Sequence, residues 1–187
     1  MDSLDDIYER KFGNTEGITS LGWGSITSQE IRFLMLMDII GFKSGHSVLD
    51  VGCGHGDLSH YVNNYTGVDI RKHAIDVANK KFPNSKFIQG SLDDVIDKFD
   101  WVFASGIFCF KSSDWHNETN IIIKKMFDKC ERGIAINFLS DLSDGKRDPD
   151  MMYVTSNDIS KAIDGITKKF TIRHDYRPND CTVYLYK

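Results

Sequence analysis

Short apolar runs alternate with amphipathic stretches along most of this chain, which predicts strands and helices in turn. Five runs, Ser47–Val51 and residues 65–70, 86–88, 101–104 and 134–138, read as buried strands. Between them, residues 117–131 give the clearest helix, with Ile122, Met126, Phe127 and Cys130 on one face and Gly133 just beyond as a stop. An earlier helix opens at Thr27, which forms a T-x-x-E capping box with Glu30 ahead of Ile31, Leu34, Met35 and Ile39. Gly41 closes it. Strand-helix alternation of this kind implies a parallel sheet with helices on both faces.

The tail follows another rule. Residues 170–176 and 181–186 are β-rich and separated only by Arg177-Pro178-Asn179-Asp180, a connection that suits an antiparallel hairpin. The expected fold is therefore α/β: a Rossmann-like, doubly wound, mostly parallel seven-stranded sheet ending in an antiparallel hairpin. Residues 139–150, with four Asp, a Gly and a Pro, form the expected long loop. Residues 1–26, where Gly13, Gly17, Gly22 and Gly24 interleave with Phe12 and Trp23, are expected to form an N-terminal lid over a core of residues 27–187. A length of 187 residues suits one domain, since two halves would each approach the lower limit of independent stability.

One strand runs straight into a glycine-spaced turn: Val48-Leu49-Asp50-Val51-Gly52-Cys53-Gly54-His55-Gly56-Asp57. Glycines let a backbone approach a ligand closely, and the carboxyl end of a first strand is the usual ligand crevice of a doubly wound sheet. Taken alone, such a turn also serves as a plain strand-to-helix connection. The next strand shifts the balance, because Gly67-Val68-Asp69-Ile70 puts a carboxylate where it can accept both hydroxyl hydrogens of a ribose. A nicotinamide cofactor fits poorly, since its G-x-G-x-x-G pattern needs a small residue where Asp57 stands.

Composition removes several classes of partner. A formal net charge of −4 offers no general attraction to nucleic-acid phosphates or anionic lipid. The acidic start, Met1-Asp2-Ser3-Leu4-Asp5-Asp6, is unlike a signal peptide, and the apolar run 33–42 is too short to span a bilayer. A cytoplasmic protein without membrane or nucleic-acid partners is expected, and no oligomeric state follows from the pattern. Cys53, Cys109, Cys130 and Cys181 form no C-x-x-C pair, so neither a zinc site nor a disulfide framework is expected.

The segments VLDVGCGHG and YTGVDI resemble the first two motifs of class I S-adenosylmethionine-dependent methyltransferases. Residues 87–93, FIQGSLD, are similar to the third motif and residues 99–105, FDWVFAS, to the fourth. Five strands followed by an antiparallel pair match the family's order. The chain also resembles bacterial members with a GW-S-Q-RF opening, an ASGIF fourth motif and an RHDY-P-D-TVYLY ending. The resemblance implies S-adenosyl-L-methionine as cofactor and S-adenosyl-L-homocysteine as product. It places Asp50, Gly52, Cys53 and Gly54 around the methionine part, Asp69 and Ile70 at the ribose, and Ser91 and Leu92 beside adenine. Many members carry Asp where this chain has Ser91, so Asp93 or a backbone carbonyl is the alternative partner for the adenine amino group. Ser105 would lie beside the transferred methyl.

For the acceptor, residues 105–108 lack the N/D-P-P-Y/F sequence that marks amino methylation of nucleobases and glutamine in the family, and no Pro-Cys marks cytosine C5 chemistry. A small-molecule or a sugar-like acceptor gains by elimination, and methylation of its O or N is the leading expectation. His174, at the end of the sixth strand, is the candidate base, with a structural role in the hairpin as its alternative. Trp23 could close over the cofactor or plug the core. Arg32 could hold the cofactor carboxylate in a bidentate contact or sit on a solvated helix face. Two other classes share these motifs: a non-catalytic nucleoside-binding module serving a partner protein, and an RNA or protein methyltransferase.

Overall fold

The computed structural model describes Lys11 and residues 25–187; Trp23 and most of the expected lid lie outside the described residues. Seven strands form one sheet: β1 (Ser47–Val51), β2 (Asn64–Asp69), β3 (Lys86–Gln89), β4 (Phe99–Ser105), β5 (Cys130–Leu139), β6 (Phe170–Arg173) and β7 (Asp180–Tyr186). Their spatial order is β3-β2-β1-β4-β5-β7-β6. The first five are parallel, whereas β7 runs antiparallel to both β5 and β6. The chain steps outward from β1 to β3 and then returns to lay β4 beside β1, so the order reverses there and a crevice opens at the carboxyl ends of β1 and β4.

Among the described residues, the helices that cover the sheet are α1 (Ile26–Met37), α2 (Lys72–Lys81), α3 (Trp115–Lys129) and α4 (Ser156–Ala162). Alternation along the strands sorts side chains into two layers. Leu49, Val51, Val102, Ala104, Ile134 and Ile136 pack with Ile123 and Met126 of α3 and Ile159 of α4. Val48, Trp101, Phe103, Ala135 and Tyr184 pack with Phe33 and Leu36 of α1 and Ile75 of α2. Phe99 joins the first layer although Trp101 joins the second, because the β4–β5 register shifts between them. Among the described residues, no helix is long and apolar enough to cross a membrane.

Three expected boundaries move. Ser25, not Thr27, caps α1, since its side chain accepts from the Ser28 N–H at 3.1 Å, and Thr27 falls inside the first turn. The helix ends at Met37, ahead of Gly41, which has a positive φ of 92° in the following turn. Cys130 begins β5 rather than ending α3. Gly133 is consequently a strand residue and not a helix stop: a β-carbon there would strike the Leu185 carbonyl of β7.

The long connection, expected over 139–150, runs over residues 140–155, since Leu139 ends β5 and Thr155 caps α4, and it is stitched down. The Met152 N–H donates to the Cys109 carbonyl at 2.8 Å, the Lys111 N–H donates to the Asp150 carbonyl at 2.9 Å, and Lys11 pairs with Asp148 and Asp150. The segment thereby becomes a fixed wall beside the carboxyl ends of β4 and β5.

Candidate active site

A cavity of about 570 Å³ opens at those carboxyl ends, a size suited to a small ligand. Its floor is the turn after β1. Gly52, Gly54 and Gly56 all have positive φ, a region L side chains rarely adopt. A β-carbon at Gly52 would also fall inside Ile107 Cγ2, so the turn can lie this close to the β4 loop only without a side chain. The Gly52 and Cys53 N–H groups both donate to the Val68 carbonyl, at 2.8 and 3.1 Å, which ties the turn to β2.

Two carboxylates face the cavity from neighbouring strands. Asp69 Oδ2 accepts the Gly54 N–H and Oδ1 accepts the Arg71 N–H, each at 2.9 Å, which orients the group and leaves further lone pairs on both oxygens. Asp50 is buried and accepts a hydrogen bond from the Tyr65 hydroxyl at 2.8 Å. Burial, together with the like charges of Asp69 and Asp57, pushes its carboxyl up to about 7, against the lowering effect of Tyr65. Among the described residues no cation pairs with Asp50. The charges of Asp50 and Asp69 add to burial in pushing the Cys53 thiol up, so it stays protonated and inert.

Each described residue of the expected cofactor set, namely Arg32, Asp50, Gly52, Cys53, Gly54, Asp69, Ile70, Ser91, Leu92 and Ser105, lines the cavity. Ser91 caps the short 3-10 turn Leu92–Asp94, exchanging hydrogen bonds with Asp94, while Asp93 pairs with Lys125 at 2.7 Å. Arg32 does not lie on a solvated face. It points inward to Asp180, a carboxylate with no exposure, which Arg177 approaches at 3.4 Å from the other side. Asp57, charged and beside the glycine turn, turns away from the cavity to Lys81.

His174 does not reach the cavity. Its Nε2 lies 2.7 Å from Ser140 Oγ, which anchors the end of β6 to the end of β5. All 6 histidines are among the described residues, and none lines the cavity. The turn after β6 projects toward the site, but it delivers Arg177 and Asn179 instead.

Asn137 is the main site residue that the motifs do not indicate. It lies near the carboxyl end of β5, two residues before Leu139, is 2% exposed and lines the cavity. Ser105 Oγ donates to its Oδ1, and its Nδ2 donates to Thr182 Oγ1, both at 2.8 Å. Tyr176 closes the row, its hydroxyl 2.8 Å from Thr182 Oγ1. An amide inside the otherwise apolar run Ile134-Ala135-Ile136-Asn137-Phe138 is a legible signal, since a buried polar group needs partners.

A family model described as a methyltransferase domain matches residues 42–136. A Mycobacterium tuberculosis protein, Rv1506c, whose name assigns it as a methyltransferase, is 26% identical over 168 residues, covering 81% of this chain and 99% of its own. Magnesium protoporphyrin IX methyltransferase from Synechocystis PCC 6803, solved with S-adenosylhomocysteine bound, superposes with a TM-score of 0.63 at 15% identity, over 98% of this chain and 93% of that one. A TehB-like S-adenosylmethionine-dependent methyltransferase from Corynebacterium glutamicum gives 0.60 at 18% identity, over 96% and 95%. At these identities the two structural likenesses are likenesses of fold.

Proposed function

The chain belongs to the methyltransferase domain family, and from that premise we propose that it transfers a methyl group from S-adenosylmethionine to an oxygen or nitrogen of a small polar acceptor, sugar-like in character. It is a class I S-adenosylmethionine-dependent enzyme. The observation that carries the site assignment is the buried Asp50 carboxylate, which lines the cavity without a cationic partner among the described residues. A cationic ligand supplies that partner, and the side-chain-free floor at Gly52 gives it room. The residues present therefore fit this donor.

When bound, the donor supplies a methyl group already activated by its positive sulfonium. The chain's own residues then bind, orient and exclude water, because an in-line transfer needs alignment more than acid-base assistance. Asp69 would hold the ribose hydroxyls, Asp50 would face the cationic part and Arg32 the carboxylate. Ser91, Leu92 and Ile70 would border the base and sugar. Ser105 and Asn137 would orient the acceptor: Ser105 donates its proton to Asn137, so its oxygen presents a lone pair to an incoming hydroxyl or amine. We assign His174 a structural role. The chain would work as a single domain in the cytoplasm.

Calorimetry with S-adenosylmethionine tests the donor site. Wild type should bind, and Asp69→Ala should weaken binding about 100-fold through loss of charged hydrogen bonds. Undiminished binding by Asp69→Ala would overturn the site. Release of labelled methyl product from a metabolite mixture separates an enzyme from a binding module.

A further inference from the structure

Charge is unevenly distributed around the cavity wall. The described lining residues include three carboxylates, Asp50, Asp69 and Asp93, all at the ends of β1, β2 and β3. Two of these have a cation beside them: Arg71 Nε lies 3.5 Å from Asp69, and Lys125 pairs with Asp93. Across the cavity, the wall is made by α1, the 143–146 segment and the turn after β6, and it carries Arg32, Lys146 and Arg177 with no lining carboxylate among the described residues. Asp180, buried behind that wall, offers a single negative charge to both Arg32 and Arg177. Even with Asp180 assigned wholly to Arg32, Arg177 and Lys146 remain in excess among the described residues.

These groups are brought together by a defined framework. Arg177 Nη1 donates to Ser28 Oγ at 2.8 Å, which holds the guanidinium against α1. Ser143 Oγ donates to Asn179 Oδ1 at 3.1 Å and the Ser140 N–H donates to the Asn179 carbonyl at 2.9 Å, so the loop bearing Lys146 abuts the turn bearing Arg177. Asn137 and Asn179 add neutral hydrogen-bonding groups to the same wall. Guanidinium and ammonium donors gathered in a half-enclosed site select an anionic oxygen group.

We propose that the methyl acceptor carries an anionic group, a carboxylate or a phosphate, seated on Arg177 and Lys146. This rests on the methyltransferase reading, because it assigns Arg177 and Lys146 to the acceptor and leaves the acidic wall, with Arg32, to the donor. The cavity is bipolar in the sense that the two substrates require, and each wall disfavours the wrong one.

The test titrates the full chain with sodium phosphate and, separately, sodium acetate against a chloride background, with and without saturating S-adenosylhomocysteine, reading amide chemical shifts and calorimetric heats. At least one anion should bind saturably, and the preferred one tells phosphate from carboxylate. Arg177→Gln and Lys146→Gln should each weaken that binding about 5- to 10-fold, with S-adenosylhomocysteine affinity within twofold of wild type. Arg177→Lys, which keeps a charge against Asp180, serves if Arg177→Gln does not fold. Absence of saturable binding by both anions, or binding unchanged in the Lys146 and Arg177 variants, overturns the proposal. If S-adenosylhomocysteine fails to bind while anion binding still depends on Arg177, the methyltransferase reading fails instead.

Discussion

At the ends of β1, β2 and β3 the cavity wall comes from three short stretches, 50–54, 69–71 and 90–93, each placed by the strand it follows. Across from it, the wall is assembled from Ser28, Gln29 and Arg32 of α1, Asn137 of β5, the 143–153 segment, and Arg177 and Asn179 after β6. The first wall is local in sequence and acidic; the second is dispersed and basic. A ligand common to a family is held by elements that the fold itself positions, while the variable partner is met by connections free to diverge.

Substitutions should separate the two walls. The largest effect is expected at Gly52→Ala, which sets a β-carbon into Ile107 and forces a positive φ on a side chain. It should cost about 2 kcal/mol or more in denaturant unfolding and abolish donor binding; a wild-type affinity for S-adenosylhomocysteine would show that the floor is not needed as built. Asn137→Ala comes next. It leaves the Ser105 and Thr182 hydroxyls without their shared partner, and turnover should drop about tenfold, with roughly 2 kcal/mol lost in stability and donor affinity kept. An equal loss of donor affinity would erase the distinction between the walls.

A pH-dependent effect follows from Asp50. Its folded-state value, about 7, lies above the ordinary carboxylate value of 3.8, so the unliganded folded protein holds a proton that the unfolded chain releases. Its contribution to stability therefore falls as pH rises from about 4 to about 7, and is flat above. A cationic donor reverses this preference by favouring the ionised form. Donor affinity should rise about tenfold between pH 6 and pH 8, with proton release detectable by calorimetry in buffers of different ionisation enthalpy. Asp50→Asn should flatten both profiles; if it leaves the affinity profile unchanged, Asp50 does not face the cation. The smallest effect belongs to His174→Ala: about 1 kcal/mol in unfolding from the lost bond to Ser140, with turnover and its pH profile within twofold of wild type. A shifted profile would return His174 to the chemistry.

The acidic wall was legible because its residues follow one another closely and each obeys a backbone requirement. Gly52 and Gly54 mark a turn that only glycine tolerates there, and Asp69 ends the next strand. The basic wall was partly hidden. Arg177 sat in the hairpin turn, but the neighbouring His174 drew the chemical assignment, and nothing local reveals that its ring turns to Ser140. Asn137 offered a faint signal, one amide in an apolar strand, whose meaning depended on Ser105, 32 residues earlier, and Thr182, 45 later. Helix ends shifted for a similar reason. Ser25 and Thr27 are both competent caps, and whichever hydroxyl meets a free N–H three residues on decides the matter.

By itself the amino-acid sequence determined the strand-helix alternation, the closing hairpin, and the glycine turn with its acidic partner, because periodicity and backbone sterics act over a few residues. The tertiary structure alone decided that Arg32 faces Asp180 rather than solvent, that Asp57 turns away to Lys81, and that residues 140–155 form a wall instead of a free loop. Each outcome is a choice among distant polar partners, and burial settles that choice only once the sheet has brought the competing groups within hydrogen-bonding distance.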